Sequence, residues 1–292
     1  MQAIAQWILS HRLAAAAWVL ITLATSPWIS LNALLGVFGL ALVWLRKGDK
    51  EGLILTSWAM IPALCIAYQF TNLMPTLLVI ITAIGSMTLR RTAGWHLALV
   101  SLSASTIIVS LLLMFTGDSY LSVYIHAYEQ LATQLHQQAQ TNPELMKQIP
   151  ATLTLSTVAG FLGSTLITSS FFCLLLARYY QAKLFNPNGL QKEFHLLSLS
   201  KAETLCAIVV TGFFISQTNF HSWIWMAMFP LVISGIALFH FFAKQKHLAI
   251  GWYILFYIVL IVVNPFKFVM ATFAAIDSFN SLRAQIAKTP TE

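Results

Sequence analysis

The side chains best suited to binding a ligand are concentrated in one stretch, residues 178–201. Four of the chain's few cations lie there, together with aromatic rings, a histidine and the sequence Asn-Pro-Asn-Gly at 186–189. Proline favours the second position of a turn and Gly189 can take a positive φ, so this sequence predicts an ordered turn. The candidates for binding a ligand or a partner are Arg178, Tyr179, Tyr180, Asn186, Pro187, Gly189, Phe194 and His195.

Two interpretations of this stretch stay open. In the first, Arg178, Tyr179 and Tyr180 form an interfacial anchor that holds the end of an apolar segment at the level of the lipid headgroups. In the second, the stretch is an ordered element that docks a partner protein or coordinates an anionic headgroup. Its leucines and phenylalanines make it too apolar to be merely solvated, so it would pack on the membrane surface or on the protein.

Asp277 is a further candidate because it is the one carboxylate inside an apolar segment. It would be either an inward-facing binding group paired with Lys267 or Arg283, or a carboxylate at the cytoplasmic end of the last helix within reach of Arg283. If Asp277 belongs to a binding site, replacing it with alanine should abolish binding or uptake.

Sequence signatures of other chemistries are absent. There is no phosphate-binding G-x-x-x-x-G-K-[ST] motif, no H-E-x-x-H and no C-x-x-C, so the sequence predicts no ATP hydrolysis, no metal site and no cofactor. The three cysteines lie in apolar segments and are interpreted as small buried hydrophobic residues. We therefore expect no enzymatic activity; a membrane enzyme acting on lipid ranks third among the functions considered.

Composition indicates whether the chain is a soluble or a membrane protein. The chain is 58% hydrophobic and 9% charged, against about 25% charged residues in a soluble domain. This balance predicts an integral membrane protein whose main partner is the lipid bilayer. The excess cations fall into short loops beside apolar runs, so they do not indicate nucleic-acid binding.

Apolar runs define about ten elements. Six are predicted as full spans: 53–70, 73–89, 93–115, 151–177, 205–217 and 221–243. The two terminal runs, 13–45 and 248–282, are too long for one helix, and Pro27 and Asn264-Pro265 interrupt them. Interrupted helices expose backbone polar groups that only protein or a wet cavity can satisfy, and such pairs mark binding sites in transporters.

Two further patterns are present, one between two spans and one on a single face of a span. Residues 118–149 alternate apolar and polar side chains at helical spacing, which predicts an amphipathic helical insertion with a second short helix beginning at Asn142. In 151–177, small residues recur at every fourth position and predict close helix packing. These packing residues are Ser156, Gly160, Ser164 and Thr168.

Loop charges predict the orientation. The loops at 46–50, 90–91, 178–201 and 244–246 hold eleven of the 16 Lys and Arg residues. The positive-inside rule places these loops and both termini in the cytoplasm and 118–149 outside it. The expected fold is an all-α polytopic transmembrane helical bundle, one integral membrane domain over 1–292, with about 8–10 membrane segments and a cytoplasmic loop at 178–203.

One local sequence resembles a known family. The matching residues are ARYYQA at 177–182, LFNPNG at 184–189, Glu193-Phe194 and the ending Ile276-Asp277-Ser278-Phe279 with Arg283. In these residues the chain resembles the YybS-like family of bacterial polytopic membrane proteins. The resemblance implies a fold similar to the S-components of energy-coupling-factor vitamin transporters and to the cell-shape protein MreD.

Two functional hypotheses follow from the fold and the resemblance. The first is small-molecule binding or transport of the S-component type in the bacterial inner membrane, with energy supplied by a partner subunit. Its ligand would lie among the interrupted helices and the 93–115 and 151–177 spans. The second is a non-transporting scaffold in envelope assembly, similar to MreD, in which the 178–201 stretch binds a membrane protein.

Overall fold

The computed structural model describes residues 1–138 and 153–283, and this part of the chain is helical without a β-strand. The helices are α1 (Gln2–Ser10), α2 (Arg12–Ala24), α3 (Leu31–Lys47), α4 (Asp49–Phe70), α5 (Met74–Thr92), α6 (Trp95–Thr116), α7 (Asp118–Gln138), α8 (Leu155–Phe185), α9 (Gly189–Leu196), α10 (Lys201–Ser216), α11 (Ile224–Gln245), α12 (Ile250–Val262) and α13 (Phe266–Asn280). A 3₁₀ turn (Thr218–Trp223) precedes α11. The predicted all-α class is confirmed for these residues.

Within the described residues, four helices are long and apolar enough to cross a membrane: α4, α6, α8 and the 3₁₀ turn joined to α11. Two bent pairs, α9 with α10 and α12 with α13, raise this number to six if each pair is one span. The chain is therefore a multi-pass membrane protein by helix length and composition. The larger number of 8–10 segments stays a prediction.

Both predicted interruptions are confirmed. The run 13–45 forms α2 and α3, which are separated by the turn that contains Pro27. The run 248–282 forms α12 and α13, which meet at Pro265 with a bend of 115°. Proline lacks a backbone N–H and restricts the preceding residue, which explains why both helices end there.

The core is centred on α3, whose residues from Gly36 to Leu45 are all buried. Trp44 packs tightly on Gly52 of α4, where an added Cβ would lie 2.3 Å from the indole. The Trp44 Nε1 atom donates a hydrogen bond to Thr56 Oγ1 at 3.0 Å. Helices α5 and α8 complete this core by packing on α3 and on each other, and α6 packs on both of them.

Helix α8 is longer than expected, which corrects the prediction of a loop at 178–203. It continues to Phe185, so Arg178, Tyr179 and Tyr180 lie on its last turns rather than in a loop. No residue between 177 and 185 disfavours a helix, and the helix ends only where Pro187 restricts Asn186. The rest of the stretch is a turn, α9, four residues outside regular structure and the first residues of α10.

The turn at 186–189 forms, but its positive φ lies at Asn188 (65°) and not at Gly189. Gly189 is instead the buried first residue of α9. A Cβ there would lie 2.5 Å from the Asn186 Nδ2 atom, so a larger residue would require the exposed Asn186 side chain to move.

Contacts gather the cation-bearing loops at one end of the bundle, which we call the basic end. Arg90 donates to the Leu45 carbonyl oxygen at 2.7 Å, and the Arg46 guanidinium lies 3.7 Å from the centre of the Phe185 ring. Helix α9 packs on α8 and α11, which adds the loop after α11 to this end. The grouping on which the charge-based orientation depends is therefore present in three dimensions.

Helix α7 confirms a helix over Asp118–Gln138, the first part of the predicted amphipathic insertion. The remainder of that insertion, including the second short helix predicted to begin at Asn142, lies outside the described residues.

Candidate functional site

A groove of about 920 Å³ lies at the basic end, between α8, α9, α11 and α12. Four of the residues predicted from the sequence line it: Tyr179, Pro187, Phe194 and His195. The other lining residues were not named as candidates, although five of them lie within 178–201. They are Phe172, Leu175, Leu176, Ala182, Lys183, Asn188, Leu190, Gln191, His240, Tyr253 and Tyr257.

Aromatic rings from three helices form one wall of the groove. His240 on α11 shares a 2.8 Å hydrogen bond between its Nε2 atom and the Tyr257 hydroxyl on α12. The Phe194 ring lies edge-on to the His240 ring, with 5.7 Å between their centres. The centres of the Tyr253 and His240 rings are 5.3 Å apart. This wall offers a rigid apolar surface with a few polar atoms, which is typical of small-molecule sites.

The end of the groove near the turn is polar and positively charged. Lys183 projects from the last turns of α8, with its Nζ atom 5.9 Å from the Tyr179 ring centre, and Gln191 lies opposite on α9. The charge of Lys244 acts on the ring of His195, which lies on the last turn of α9 and also lines the groove. This end is therefore suited to an anionic group.

Arg178 does not line the groove but holds α9 in place behind it. Its guanidinium binds both carboxylate oxygens of Glu193, with Nε 2.9 Å from Oε2, and its Nη1 atom donates to Gln181 Oε1 at 2.6 Å. The Trp95 Nε1 atom donates to the same carboxylate at 3.2 Å. Glu193 is thereby neutralised and ties α9 to α6 and α8.

A smaller cavity of about 290 Å³ lies beside this ion pair. Gln181 and Arg90 both donate to the Leu45 carbonyl oxygen, at 3.1 and 2.7 Å, and so satisfy a carbonyl near the end of α3. The cavity belongs to the polar network that closes the basic end of the bundle.

Three other predicted candidates have structural roles outside the groove. The Tyr180 ring packs against Phe38 of α3, with 5.9 Å between the ring centres. Asn186 and Gly189 shape the turn, where the Gly189 N–H donates to the Asn186 carbonyl oxygen at 2.9 Å. These residues support the groove without lining it.

Asp277 is buried near the end of α13 and does not line the groove. Of the two predicted partners, Arg283 pairs with it: the Nε and Oδ2 atoms are 3.2 Å apart, and the Arg283 backbone N–H donates to Oδ1 at 3.2 Å. Lys267 instead donates to Asn264 Oδ1 at 3.0 Å. Burial lowers the pKa of the Arg283 guanidinium below its ordinary value, and the Asp277 carboxylate acts in the opposite direction.

The small-residue ladder of α8 lies against the 3₁₀ turn. Ser156 donates to the Asn219 carbonyl oxygen at 2.7 Å, and Ser164 donates to the Ser222 carbonyl oxygen at 3.1 Å. Thr168 accepts a 3.0 Å hydrogen bond from Trp225 Nε1, and a Cβ on Gly160 would lie 2.1 Å from Ser222 Oγ. The ladder thus lets the backbone of α8 approach the turn closely.

The part of the chain that the structure describes contains no group of three or more His, Cys, Asp or Glu side chains able to hold a metal ion. Comparison with known proteins gives no relative: no family model, curated protein or solved structure matches the chain.

Proposed function

We propose that this chain is a multi-pass protein of the bacterial inner membrane, of YybS-like type, that binds a small molecule in the groove between α8, α9, α11 and α12. Transport of that molecule, as in S-components, would require an energising partner subunit because the sequence has no phosphate-binding loop. The supporting observation is the groove itself: an aromatic wall and a few convergent polar groups in a cavity of about 920 Å³.

The groove includes part of the predicted ligand region and excludes the rest. Helices α8 and α12 line it, as the hypothesis of a site beside an interrupted helix requires. Helix α6, the turn at Pro27 and Asp277 do not line it. We therefore propose that Asp277 stabilises the end of α13, and that its replacement leaves the ligand bound.

Native mass spectrometry of the full chain in mild detergent tests this proposal. Leu176 lines the groove and is 37% exposed, so the larger ring in Leu176→Trp has room to occupy it. Phe161, 58% exposed on the same helix and outside the groove, provides the control Phe161→Trp. We expect a stoichiometric small molecule on the wild type and on the control, and its loss from Leu176→Trp. A folded Leu176→Trp protein that keeps the molecule would refute the site.

A scaffold function similar to MreD remains the second candidate, and one observation favours it. Leu196, the last residue of α9, is 77% exposed, and Asn186 and Pro187, which precede α9, are exposed as well. A protein partner could cover this surface. Replacing Asn186 and Gly189 should then release a co-purifying protein without changing the small-molecule content, whereas retention of that protein would count against the turn as its contact.

A further inference from the structure

The groove has the shape of a slot for an amphiphile, because one stripe of α8 changes from apolar to cationic along its length. Phe172, Leu176, Tyr179 and Lys183 follow one another at helical spacing and all line the groove. From Phe172 to Lys183 the helix rises about 16 Å. This length is close to the thickness of one leaflet of the hydrocarbon core, about 15 Å.

The apolar part of the stripe is open at the side of the bundle. Phe172 and Leu176 are 60% and 37% exposed, and Tyr257 across the groove is 39% exposed. Phe172 and Leu176 lie in the apolar part of α8, before Arg178, and Tyr257 lies in apolar α12, so their exposed faces meet lipid rather than water. A hydrocarbon chain can therefore enter from the bilayer without crossing an aqueous phase.

The opposite end of the stripe carries positive charge that no nearby carboxylate neutralises within the described residues. Lys183 makes no ion pair there, and Glu193 is already bound by both arms of Arg178. His195 also lines the groove, and the charge of Lys244 acts on its ring, whereas Arg283 is paired with Asp277. Basic pockets at the ends of membrane helices bind anionic headgroups.

From this arrangement we infer that the groove binds one anionic glycerophospholipid of the bilayer. An acyl chain lies along the stripe from Phe172 to Tyr179, and the phosphate lies between Lys183 and His195. The inference rests on the proposed function, since it names the ligand class of the same groove. A neutral lipid would not compensate the charge of Lys183. A water-soluble anion would leave the apolar part of the stripe, about 16 Å long, without a contact.

The test uses the full chain, delipidated in detergent and then titrated with one lipid at a time under native mass spectrometry. The probes are phosphatidylglycerol, phosphatidylcholine with the same acyl chains, and glycerol 3-phosphate as a soluble headgroup. The variants are Lys183→Gln and Leu176→Trp. The matched control is Lys192→Gln, which removes an exposed cation of α9 that does not line the groove.

We expect phosphatidylglycerol to bind at one per chain and more tightly than phosphatidylcholine. A cation near the headgroup contributes about 1 kcal/mol, so Lys183→Gln should weaken phosphatidylglycerol binding about fivefold. Lys192→Gln should leave binding unchanged, and Leu176→Trp should abolish the stoichiometric adduct.

Four outcomes would overturn the inference. Equal binding of the two lipids would exclude recognition of charge, and equal losses in Lys183→Gln and Lys192→Gln would exclude a localised phosphate site. Tight binding of glycerol 3-phosphate would indicate a soluble ligand; if Leu176→Trp removes it, the proposed function survives and only the lipid assignment fails. If no lipid or small molecule depends on Leu176, both proposals fail.

Discussion

Arg178 supports the groove without lining it, although its side chain could bind an anionic ligand. Both sequence interpretations give it an outward role, as an interfacial anchor or as a ligand contact. In the structure it is one quarter exposed and holds Glu193 through two hydrogen bonds, while Trp95 and Gln181 satisfy the remaining atoms. The pair positions α9, which supplies Phe194 and His195 to the groove.

The first prediction concerns this ion pair. Arg178→Lys keeps the charge but cannot bind both carboxylate oxygens in the same plane, so the free energy of unfolding should fall by about 1–2 kcal/mol. The pair is partly exposed, so the loss should be smaller than the 3–5 kcal/mol, roughly, that follows breaking a fully buried pair.

A double-mutant cycle of Arg178→Lys with Glu193→Gln, followed by unfolding in detergent, measures the coupling between the two residues. We expect a coupling of about 1–3 kcal/mol. Lys192 lies next to Glu193 and is exposed. A control cycle of Arg178→Lys with Lys192→Gln should therefore show no coupling. Additive effects of the two substitutions would mean that the ion pair does not position α9.

At the scale of elements, α8 organises the bundle because it contacts the core on one side and the 3₁₀ turn on another. Its small residues allow the second contact. Gly160 meets Ser222 and Trp223, and the Trp223 Nε1 atom donates to the Ser156 carbonyl oxygen at 2.8 Å. The position of α11 over the groove therefore depends on residues of α8 that lie far from it in sequence.

Gly160→Ala gives the second prediction. The added methyl group would lie 2.1 Å from Ser222 Oγ and 2.6 Å from Trp223, so the turn must move or the helix must separate from it. Such overpacking typically costs about 1–3 kcal/mol. We expect a corresponding decrease in the free energy of unfolding and in the thermal midpoint in detergent.

Gly212→Ala is the matched control, because a Cβ at that position of α10 has no atom within 4 Å. It should be neutral or slightly stabilising, since alanine favours a helix more than glycine does. Equal destabilisation by the two substitutions would show that the cost comes from the helices themselves and not from the contact with the turn.

At the scale of the whole molecule, the loops fall into two groups at opposite ends of the bundle. The basic end contains the turn at 186–188 and the groove, and the other end contains the 3₁₀ turn and the contact of Trp28 with Phe70, whose ring centres are 6.1 Å apart. Because the cations gather at one end, the positive-inside rule makes a single prediction for the entire bundle.

The third prediction is that the basic end faces the cytoplasm. In a protein whose three cysteines are replaced by alanine, Lys192→Cys and Gln217→Cys would each present one exposed thiol at opposite ends. A membrane-impermeant maleimide should label Gln217→Cys in intact spheroplasts and Lys192→Cys only after permeabilisation. The reverse pattern would invert the orientation and place the groove on the outer side.

Local features were sufficient to predict the all-α class and the interruptions at Pro27 and Pro265. An uninterrupted apolar run favours a membrane helix in most folds. A proline such as Pro27 or Pro265 ends a helix through its effect on the few residues around it. The end of α8 was misplaced because aromatic and cationic residues at 178–185 suggest an interface, although none of them disfavours a helix. That helix stops where Pro187 restricts Asn186.

The sequence by itself therefore determined that the chain is helical, embedded in a membrane and basic in one group of loops. The groove was decided by tertiary structure, because its walls come from four helices and no periodic spacing links them. His240 and Tyr257 share a hydrogen bond across 17 residues, and Trp95 reaches Glu193 across 98. Such contacts depend on how helices pack, which is a property of the assembled bundle and not of any segment alone.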